Sequence, residues 1–329
     1  MPAHIFVCDR KNYEICKQRG LTAVPSAASG RNEKNINDQL ISRMSMIKEN
    51  DYVLFYITQE NILTGVYRVE GAPFYDDSLV WPDPDKVYPY RIRLFGTEMN
   101  FTVPLHLHDI YDLQNEGKIW SFALKRASGV NAMFSISNDQ FEILVGELSK
   151  INPFSRVKQI IPRPYHVVEN DLLSLIHKDA DGQLKYEAGL MAYFLRGLTE
   201  NKYQEIFGIY TDYLSYIPTS IGSEMDVLLM FNNPLHTQII SSYAIIEMKR
   251  DIFDIDACKQ LIGYETWFLQ KRAHGDQKMV RSVGIAKRFS EEVINYIRMR
   301  TVIENKPIQL IEYYMANGQL VLKPIQIET

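Results

Sequence analysis

The sequence predicts two domains, an α+β domain followed by an α/β domain with a mixed sheet flanked by helices. The chain has 329 residues, 46% of them apolar, which is enough for two hydrophobic cores. Strand patterns dominate the first part, whereas helix and strand patterns alternate in the second. Between them, residues 151–170 contain Pro153, Pro162 and Pro164. We therefore predict domains at 1–150 and 171–329, joined by a linker at 151–170.

Apolar and aromatic runs predict the strands of the first domain, and helical periodicity predicts the segments between them. Residues 71–89 hold four prolines and are predicted to be a long loop. The predicted strands are Ile5–Cys8, Tyr52–Ile57, Gly65–Val69 and Tyr90–Leu94. The predicted helices are Tyr13–Arg19, Ile36–Ile47 and Asp139–Ser149.

The second domain alternates its elements in the order typical of a mixed α/β sheet. The predicted helices are Asp171–His177, Leu184–Leu198, Ile255–Lys271 and Ser290–Asn305. The predicted strands are Gln204–Tyr210, Met225–Phe231, Tyr243–Met248, Val280–Ala286 and Ile308–Tyr314.

Two neighbouring strands of the second domain carry charges in otherwise apolar sequence. Asp226 begins one strand, and Glu247 and Lys249 end the next. Side chains at i and i+2 of a strand share a face, and charges at the end of an apolar strand are costly unless they are used. Carboxylates on adjacent strands can share Mg²⁺, which makes water more acidic and neutralises phosphate charge, while Lys249 orients water or stabilises the transition state. The pattern predicts phosphodiester hydrolysis.

This arrangement resembles the PD-(D/E)XK nuclease superfamily over roughly residues 180–315, although the acidic strand lacks the proline of the literal motif. The Q-L-x-x-Y helix with Gln260 and Tyr264 is similar to that of archaeal mismatch- and branch-cleaving endonucleases, where these residues lie close to the metal. Glu187 stands in the preceding helix, where the superfamily often places another acidic ligand. The resemblance implies Mg²⁺ (or Mn²⁺) held by Glu187, Asp226 and Glu247, with Asp226, Glu247, Lys249, Gln260 and Tyr264 as catalytic residues.

The overall charge of −4, from 36 basic and 40 acidic residues, does not by itself indicate a nucleic-acid partner. Residues 271–300 are locally basic, however, and phosphate contacts need local lysine and arginine. The predicted DNA-backbone residues are Lys271, Arg272, Arg281, Lys287 and Arg288.

In the first domain, the segments HIFVCDRKNYEICKQRGLTAVPS, KENDYVLFYI and LTGVYRVEGAPFYDDSLVWPD resemble the PUA-like superfamily, nearest to EVE and YTH domains. The resemblance implies a small β-barrel with helices and an aromatic cleft for a modified base flipped out of its strand. By motif position, the implied pocket residues are Trp81, Asn32, Asn35, Tyr56 and Tyr75, although core packing explains Tyr56 better than a pocket role does. The run Ser137–Phe141 resembles the element that closes YTH domains, with Asn138 where they have arginine.

A base reader joined to a nuclease predicts modification-dependent restriction of DNA, by a homodimer with one active site for each strand. Two alternatives stay open: a repair nuclease for mismatched or branched DNA, and a non-catalytic reader of modified RNA or DNA. The three cysteines form no CxxC pair, and neither a leader nor a membrane-crossing apolar run is evident. We therefore expect a soluble cytoplasmic protein without a membrane partner.

Overall fold

The computed structural model describes residues 2–83, 85–99, 101–124, 131–154 and 170–327. The chain divides into two compact units, Met1–His177 and Lys178–Thr329. Each unit contains a mixed sheet with helices, which confirms the predicted fold class. Most of the predicted linker, residues 155–169, lies outside the described residues. Within the described ranges, no helix combines the length and the apolar character needed to cross a lipid bilayer.

The sheet of the first unit follows the order β2-β5-β4-β3-β1-β7, and two short strands, β6 and β8, pair with β4. β1 and β3 are parallel, whereas the other pairs are antiparallel. The elements are β1 Ala3–Cys8, α1 Arg10–Arg19, β2 Leu21–Val24, α2 Glu33–Ser45, β3 Tyr52–Ile57, β4 Ile62–Tyr75, β5 Tyr90–Gly96, β6 Leu105–His106, α3 Leu107–Asn115, β7 Met133–Ile136, α4 Asn138–Ile151 and β8 Asn170–Asp171.

A buried histidine links three segments at the centre of this sheet through hydrogen bonds. His4 of β1 is fully buried, and its Nδ1 lies 2.8 Å from the Ser135 hydroxyl of β7. Its Nε2 lies 3.0 Å from the carboxylate of Asp51, which precedes β3. Buried polar groups are costly without partners, so these bonds hold three neighbouring segments in one register.

The segment that follows the linker packs on the first unit. Asn170 pairs with Tyr75 at the end of β4, and Leu172 is fully buried. His177 lies 2.7 Å from the buried carboxylate of Asp38 in α2. The chain therefore divides after His177, whereas the sequence predicted that the second domain starts at residue 171. The predicted helix over 171–177 is wrong, because this segment forms a strand and a short 3-10 turn.

The sheet of the second unit has the order β14-β13-β12-β11-β10-β9. β11, β12 and β13 are parallel, and α7 and α8 form the crossovers between them. The elements are α5 Glu187–Thr199, α6 Gln204–Phe207, β9 Asp212–Pro218, β10 Glu224–Asn232, β11 Ile240–Phe253, α7 Ile255–Lys271, β12 Val280–Phe289, α8 Glu291–Glu304, β13 Ile308–Ala316 and β14 Gln319–Ile325.

One predicted strand of this unit is wrong. Residues 204–210 begin with the short helix α6, and the chain turns at Gly208 with a φ of 86°. Phe207 of this segment packs edge-on against Phe194 of α5, so its aromatic side chain packs against a helix and does not belong to a strand. Aromatic residues are enriched in strands, which explains the misleading pattern.

Candidate functional site

The carboxylate site is built on the antiparallel pair β10 and β11. Val227 faces Ile246 in this pair, and continuing the register by one residue places Asp226 opposite Glu247. Lys249 follows two positions along β11, so its side chain projects from the same face. The strands bring together residues that lie more than twenty positions apart in sequence.

Four charged side chains meet at this end of the sheet. The Lys249 ammonium lies 2.7 Å from Glu247 Oε1 and 3.5 Å from Glu187 Oε1. Glu187 is the first residue of α5, and its other oxygen accepts a hydrogen bond from the backbone N–H of Arg250. Asp226 accepts one from the backbone N–H of Met248. The four predicted metal-site residues therefore converge.

The two central carboxyl groups ionise with difficulty. Glu247 is fully buried, and burial raises its pKa to about 7 although the Lys249 ammonium favours the charged form. Burial, followed by repulsion from Glu247 and Glu187, raises the pKa of Asp226 well above its ordinary value. Burial alone would lower the pKa of Lys249, but the surrounding carboxylates outweigh it and raise that pKa. Lys249 is therefore a permanent cation at neutral pH.

The residues present fit a hard divalent cation. Glu247 Oε2 is a buried oxygen without a hydrogen-bond partner, and the negative charge of Glu247 raises the pKa of the neighbouring Asp226 carboxyl. Mg²⁺ is commonly bound through one or two carboxylates and completes its shell with water and substrate oxygens. Within the described ranges, no group of three or more His, Cys, Asp or Glu side chains is arranged to hold a metal ion. Asp226 and Glu247 are the pair that fits the ion, whereas the third predicted ligand, Glu187, faces Lys249 and the Arg250 backbone N–H instead.

Two irregularities of the backbone flank the site, and the sequence carried no signal for either. The pairing of β11 with β12 shifts just after Lys249, and the Tyr313 hydroxyl donates a 2.5 Å hydrogen bond to the carbonyl of Arg250 there. Tyr216 of β9 falls opposite Asp226 and has a left-handed φ of 53°. Bulges and strained residues are over-represented at functional sites.

Gln260 and Tyr264 hold the strand that carries Asp226. The Gln260 amide donates to the Tyr264 hydroxyl at 2.7 Å, and that hydroxyl donates to the carbonyl of Glu224 at 2.6 Å. Glu224 is the first residue of β10 and lies two positions before Asp226. Tyr264 is fully buried, so this geometry gives it a positioning contact with the backbone and not a contact with substrate.

The predicted DNA-backbone residues do not form one surface. Lys287 and Arg288 are exposed and directly follow Ala286, the partner of Lys249, so they lie at the carboxylate end of the sheet. Arg281 lies five positions before Ala286 on β12, where it pairs with Ala244, so it lies toward the other end of the sheet. Its guanidinium lies over the Phe231 ring at 4.5 Å.

Lys271 and Arg272 also lie at the end of the sheet away from the carboxylates. α7 begins just after β11 and runs for 17 residues, about 25 Å, before it reaches them. The sequence prediction of a single basic surface beside the carboxylates is therefore corrected: Lys287 and Arg288 lie at the carboxylate end of the sheet, and only Arg288 shares the face of Ala286 and Lys249.

The first unit contains a cleft of about 260 Å³ lined in part by Trp81. The Trp81 ring is 3% exposed, lies 5.4 Å from the Tyr88 ring and sits beneath the Arg91 guanidinium. Polar walls come from Asp9 and Asn12 at the start of α1 and from Thr58 and Gln59 after β3. Asp9 caps α1 by accepting from the Asn12 backbone N–H, which explains its place at the cleft.

The other four predicted pocket residues are absent from the lining of this cleft. Tyr56 belongs to the hydrophobic core and donates to the Asn61 side chain at 2.9 Å. Tyr75 packs against Tyr90 with ring centroids 6.2 Å apart. Asn32 is exposed just before α2, and Asn35 lies in the first turns of that helix. The structure thus brings only Trp81 of the predicted set to the cleft.

No protein-family model matches the chain, and a search of curated proteins finds no match. A repair endonuclease from Pyrococcus abyssi is similar at 17% identity and a TM-score of 0.25, over 35% of this chain and 45% of that one. A complex of EndoMS with double-stranded DNA is similar at 15% identity and a TM-score of 0.24, over 35% and 43%. The MmI1 YTH domain is similar at 17% identity and a TM-score of 0.31, over 46% and 98%. The chain thus spans less than half the length of either endonuclease.

Proposed function

We propose that this chain is a modification-dependent DNA endonuclease, in which the first unit binds a modified base and the second hydrolyses a phosphodiester with Mg²⁺ (or Mn²⁺). The observation that carries the proposal is the convergence of Asp226 and Glu247 beside the Lys249 ammonium, with one buried Glu247 oxygen left unpartnered. Buried charges are costly unless they are paired or serve a ligand or a reaction, and Glu247 Oε2 is not paired.

The side chains divide the chemistry between them. Asp226 and Glu247 would hold the ion, which supplies Lewis acidity toward a phosphate and toward water. Lys249 is 26% exposed and stays protonated, so it can donate hydrogen bonds to phosphate oxygens as their charge grows. Arg288 lies two positions after Ala286, the partner of Lys249, and would hold the DNA backbone on the face of the site, whereas Lys287 lies at the same end of the sheet but on the opposite face.

The cleft of the first unit suits a single flipped base. The half-buried Tyr88 offers aromatic surface, the buried Trp81 ring packs behind it, and Asp9, Asn12 and Gln59 offer acceptors and donors for a base edge. Stacking and edge contacts of this kind offset the few kcal/mol that extrusion of a base costs. Because both DNA strands must be cut, we propose that the active form is a homodimer with one site for each strand.

The test is cleavage of modified and unmodified plasmid with Mg²⁺ and with chelator. Plasmids carrying methylated cytosine, hydroxymethylated cytosine or methyladenine should include one that is cut faster than the unmodified plasmid, and chelator should stop the cut. The Asp226→Asn variant is the matched control for contaminating nuclease. Equal absence of cleavage on every plasmid would overturn the proposal and leave the first unit as a reader of modified RNA or DNA.

A second candidate uses the same site for repair of mismatched or branched DNA. The Gln260–Tyr264–Glu224 chain of hydrogen bonds favours it, because it gives the Q-L-x-x-Y motif a defined place behind the acidic strand. Forked, mismatched and modified duplexes of one sequence separate the two functions. Preference for forks or mismatches without any dependence on modification would support repair.

A further inference from the structure

β11 contains an extra residue directly after Lys249. The parallel register runs from Lys249 opposite Ala286 to Ile252 opposite Arg288, so three steps along β11 face two steps along β12. A bulge of this kind takes backbone groups out of the ladder and bends the strand. Arg250, the first residue of the bulge, therefore has no counterpart in this register.

Arg250 is bonded instead to elements on both sides of the bulge. Its backbone N–H donates to Glu187 Oε2 at 3.4 Å, and its carbonyl accepts a 2.5 Å hydrogen bond from the Tyr313 hydroxyl. Its guanidinium donates to the carbonyl of Lys185, just before α5. One residue thus connects β13, the bulge of β11 and the start of α5, where Glu187 lies 3.5 Å from the Lys249 ammonium.

Tyr313 has the properties of a fixed hydrogen-bond donor. It is 6% exposed on β13, and burial raises the pKa of its hydroxyl to about 12, so the hydroxyl keeps its proton at neutral pH. A shift of the Arg250 carbonyl would leave this buried hydroxyl without a partner, which is unfavourable. The hydroxyl therefore resists movement of the bulge.

We infer that Tyr313 is a positioning residue of the carboxylate site. By holding the Arg250 carbonyl, it seats Glu187 against the Lys249 ammonium. Without the hydroxyl bond, Lys249 would lose the support of one of the two carboxylates that orient it. The catalytic meaning of this role rests on the proposed function, because it concerns the direction in which Lys249 points toward a phosphate.

The first test is the rate of DNA cleavage with Mg²⁺ by Tyr313→Phe, which keeps the buried ring and removes only the hydroxyl. We expect kcat to fall by about tenfold and KM to change by less than about twofold, because a misplaced Lys249 affects the transition state more than substrate binding. Tyr314→Phe is the matched control, since this neighbouring tyrosine is 51% exposed and projects from the other face of β13. A rise in KM at unchanged kcat, or an equal loss in both variants, would overturn the inference.

A double-mutant cycle tests whether Tyr313 acts through Glu187. Glu187→Ala removes the carboxylate that the bulge seats against Lys249, so adding Tyr313→Phe to it should lower kcat by no more than about twofold further. If the second substitution instead lowered kcat as much in this background as in the native chain, the two residues would act separately and the inferred route would be wrong.

Amide hydrogen exchange gives a readout that needs no cleavage. In Tyr313→Phe the Arg250 amide, which donates to Glu187, should exchange at least about tenfold faster, while the amides of residues 244–246 in the pairing with β10 should exchange as in the native chain. Unchanged exchange at Arg250 would overturn the inference whether or not the chain cleaves DNA. Faster exchange in a chain that cleaves no DNA would refute the proposed function and leave the linkage from Tyr313 to Glu187 standing.

Discussion

Asp226 and Met248 are joined by a 2.8 Å hydrogen bond from the backbone N–H of Met248 to the Asp226 carboxylate. The bond fixes the acid of β10 between Glu247 and Lys249 of β11, on the face where these side chains project. We predict that Asp226→Asn, which keeps the shape but removes the charge, lowers the cleavage rate by at least about a hundredfold. Initial rates of plasmid nicking measure the loss.

The same variant should bind a modified oligonucleotide as the native chain does, because the cleft with Trp81 belongs to the other unit. Fluorescence anisotropy gives this control. If Asp226→Asn lost both cleavage and base binding, Asp226 would be a structural residue.

The raised pKa of Glu247 predicts that the free energy of unfolding depends on pH when divalent ions are removed. Its folded pKa of about 7 lies above the ordinary 4.5, so the folded state binds more protons than the unfolded state between these values. The contribution of Glu247 to the free energy of unfolding is therefore fully present at low pH and is lost as pH rises through 7. The loss amounts to about 3 kcal/mol. Chemical denaturation in chelator at several pH values measures the effect.

Glu247→Gln should remove the part of the loss that belongs to Glu247, because the amide does not ionise, and should leave the part that belongs to Asp226, whose pKa burial also raises. Mg²⁺ should stabilise the native chain more above pH 7 than below it, since the ion competes with the proton for the same oxygens. A native protein whose stability in chelator rises across this range would contradict the assignment.

Lys249 should act as a fixed cation and not as a general base. The carboxylates of Glu247 and Glu187 raise its pKa, so it holds its proton through the neutral range. Lys249→Gln should therefore lower kcat by about a hundredfold and change KM little, because the charge matters most in the transition state. Lys249→Arg, which keeps the charge, should recover part of the rate. If Lys249→Arg were as inactive as Lys249→Gln while an exogenous base restored activity to both, proton transfer would be the role instead.

Much of the site could be predicted because its geometry is local. The strand Tyr52–Ile57 and the helix Ile255–Lys271 have the predicted bounds, and two adjacent strands suffice to bring Asp226, Glu247 and Lys249 together. The i, i+2 rule for a strand needs no knowledge of the rest of the chain.

The remaining features depend on tertiary placement. Lys271 and Lys287 are close in sequence, yet a helix and a strand carry them to opposite ends of the sheet. Tyr216 adopts its left-handed conformation without any glycine or asparagine to signal it. Tyr56 was one of the aromatic residues that the motif indicated for the pocket, but it is buried in the hydrophobic core.

Variants of the cleft in the first unit test whether the base binds where the structure places the cleft or at the residues that the sequence predicted. Trp81→Ala, which removes the ring that supports Tyr88, and Asn12→Ala, which removes an edge contact, should each reduce the preference for modified over unmodified DNA by about tenfold. Tyr75→Ala is the control, because Tyr75 was predicted for the pocket but lies against Tyr90. Circular dichroism checks the fold of the Trp81 variant, and Asn12→Ala keeps the test independent of that buried ring. An effect from Tyr75→Ala alone would place the base elsewhere.

His4, Asp51 and Ser135 have the residue types of a hydrolase triad, with His4 within 3.0 Å of both partners. They are 0%, 0% and 7% exposed, so no substrate can reach the Ser135 hydroxyl, and their role is to hold β1, β3 and β7. His4→Ala should cost about 3 kcal/mol of unfolding free energy in the first unit, because it leaves the Asp51 carboxylate buried with fewer partners. Ser135→Ala should cost about 1 kcal/mol, since it removes a neutral contact. Chemical denaturation measures both values. A fully stable His4→Ala variant that had lost an esterase activity present in the native chain would show instead that the buried group opens to solvent and works.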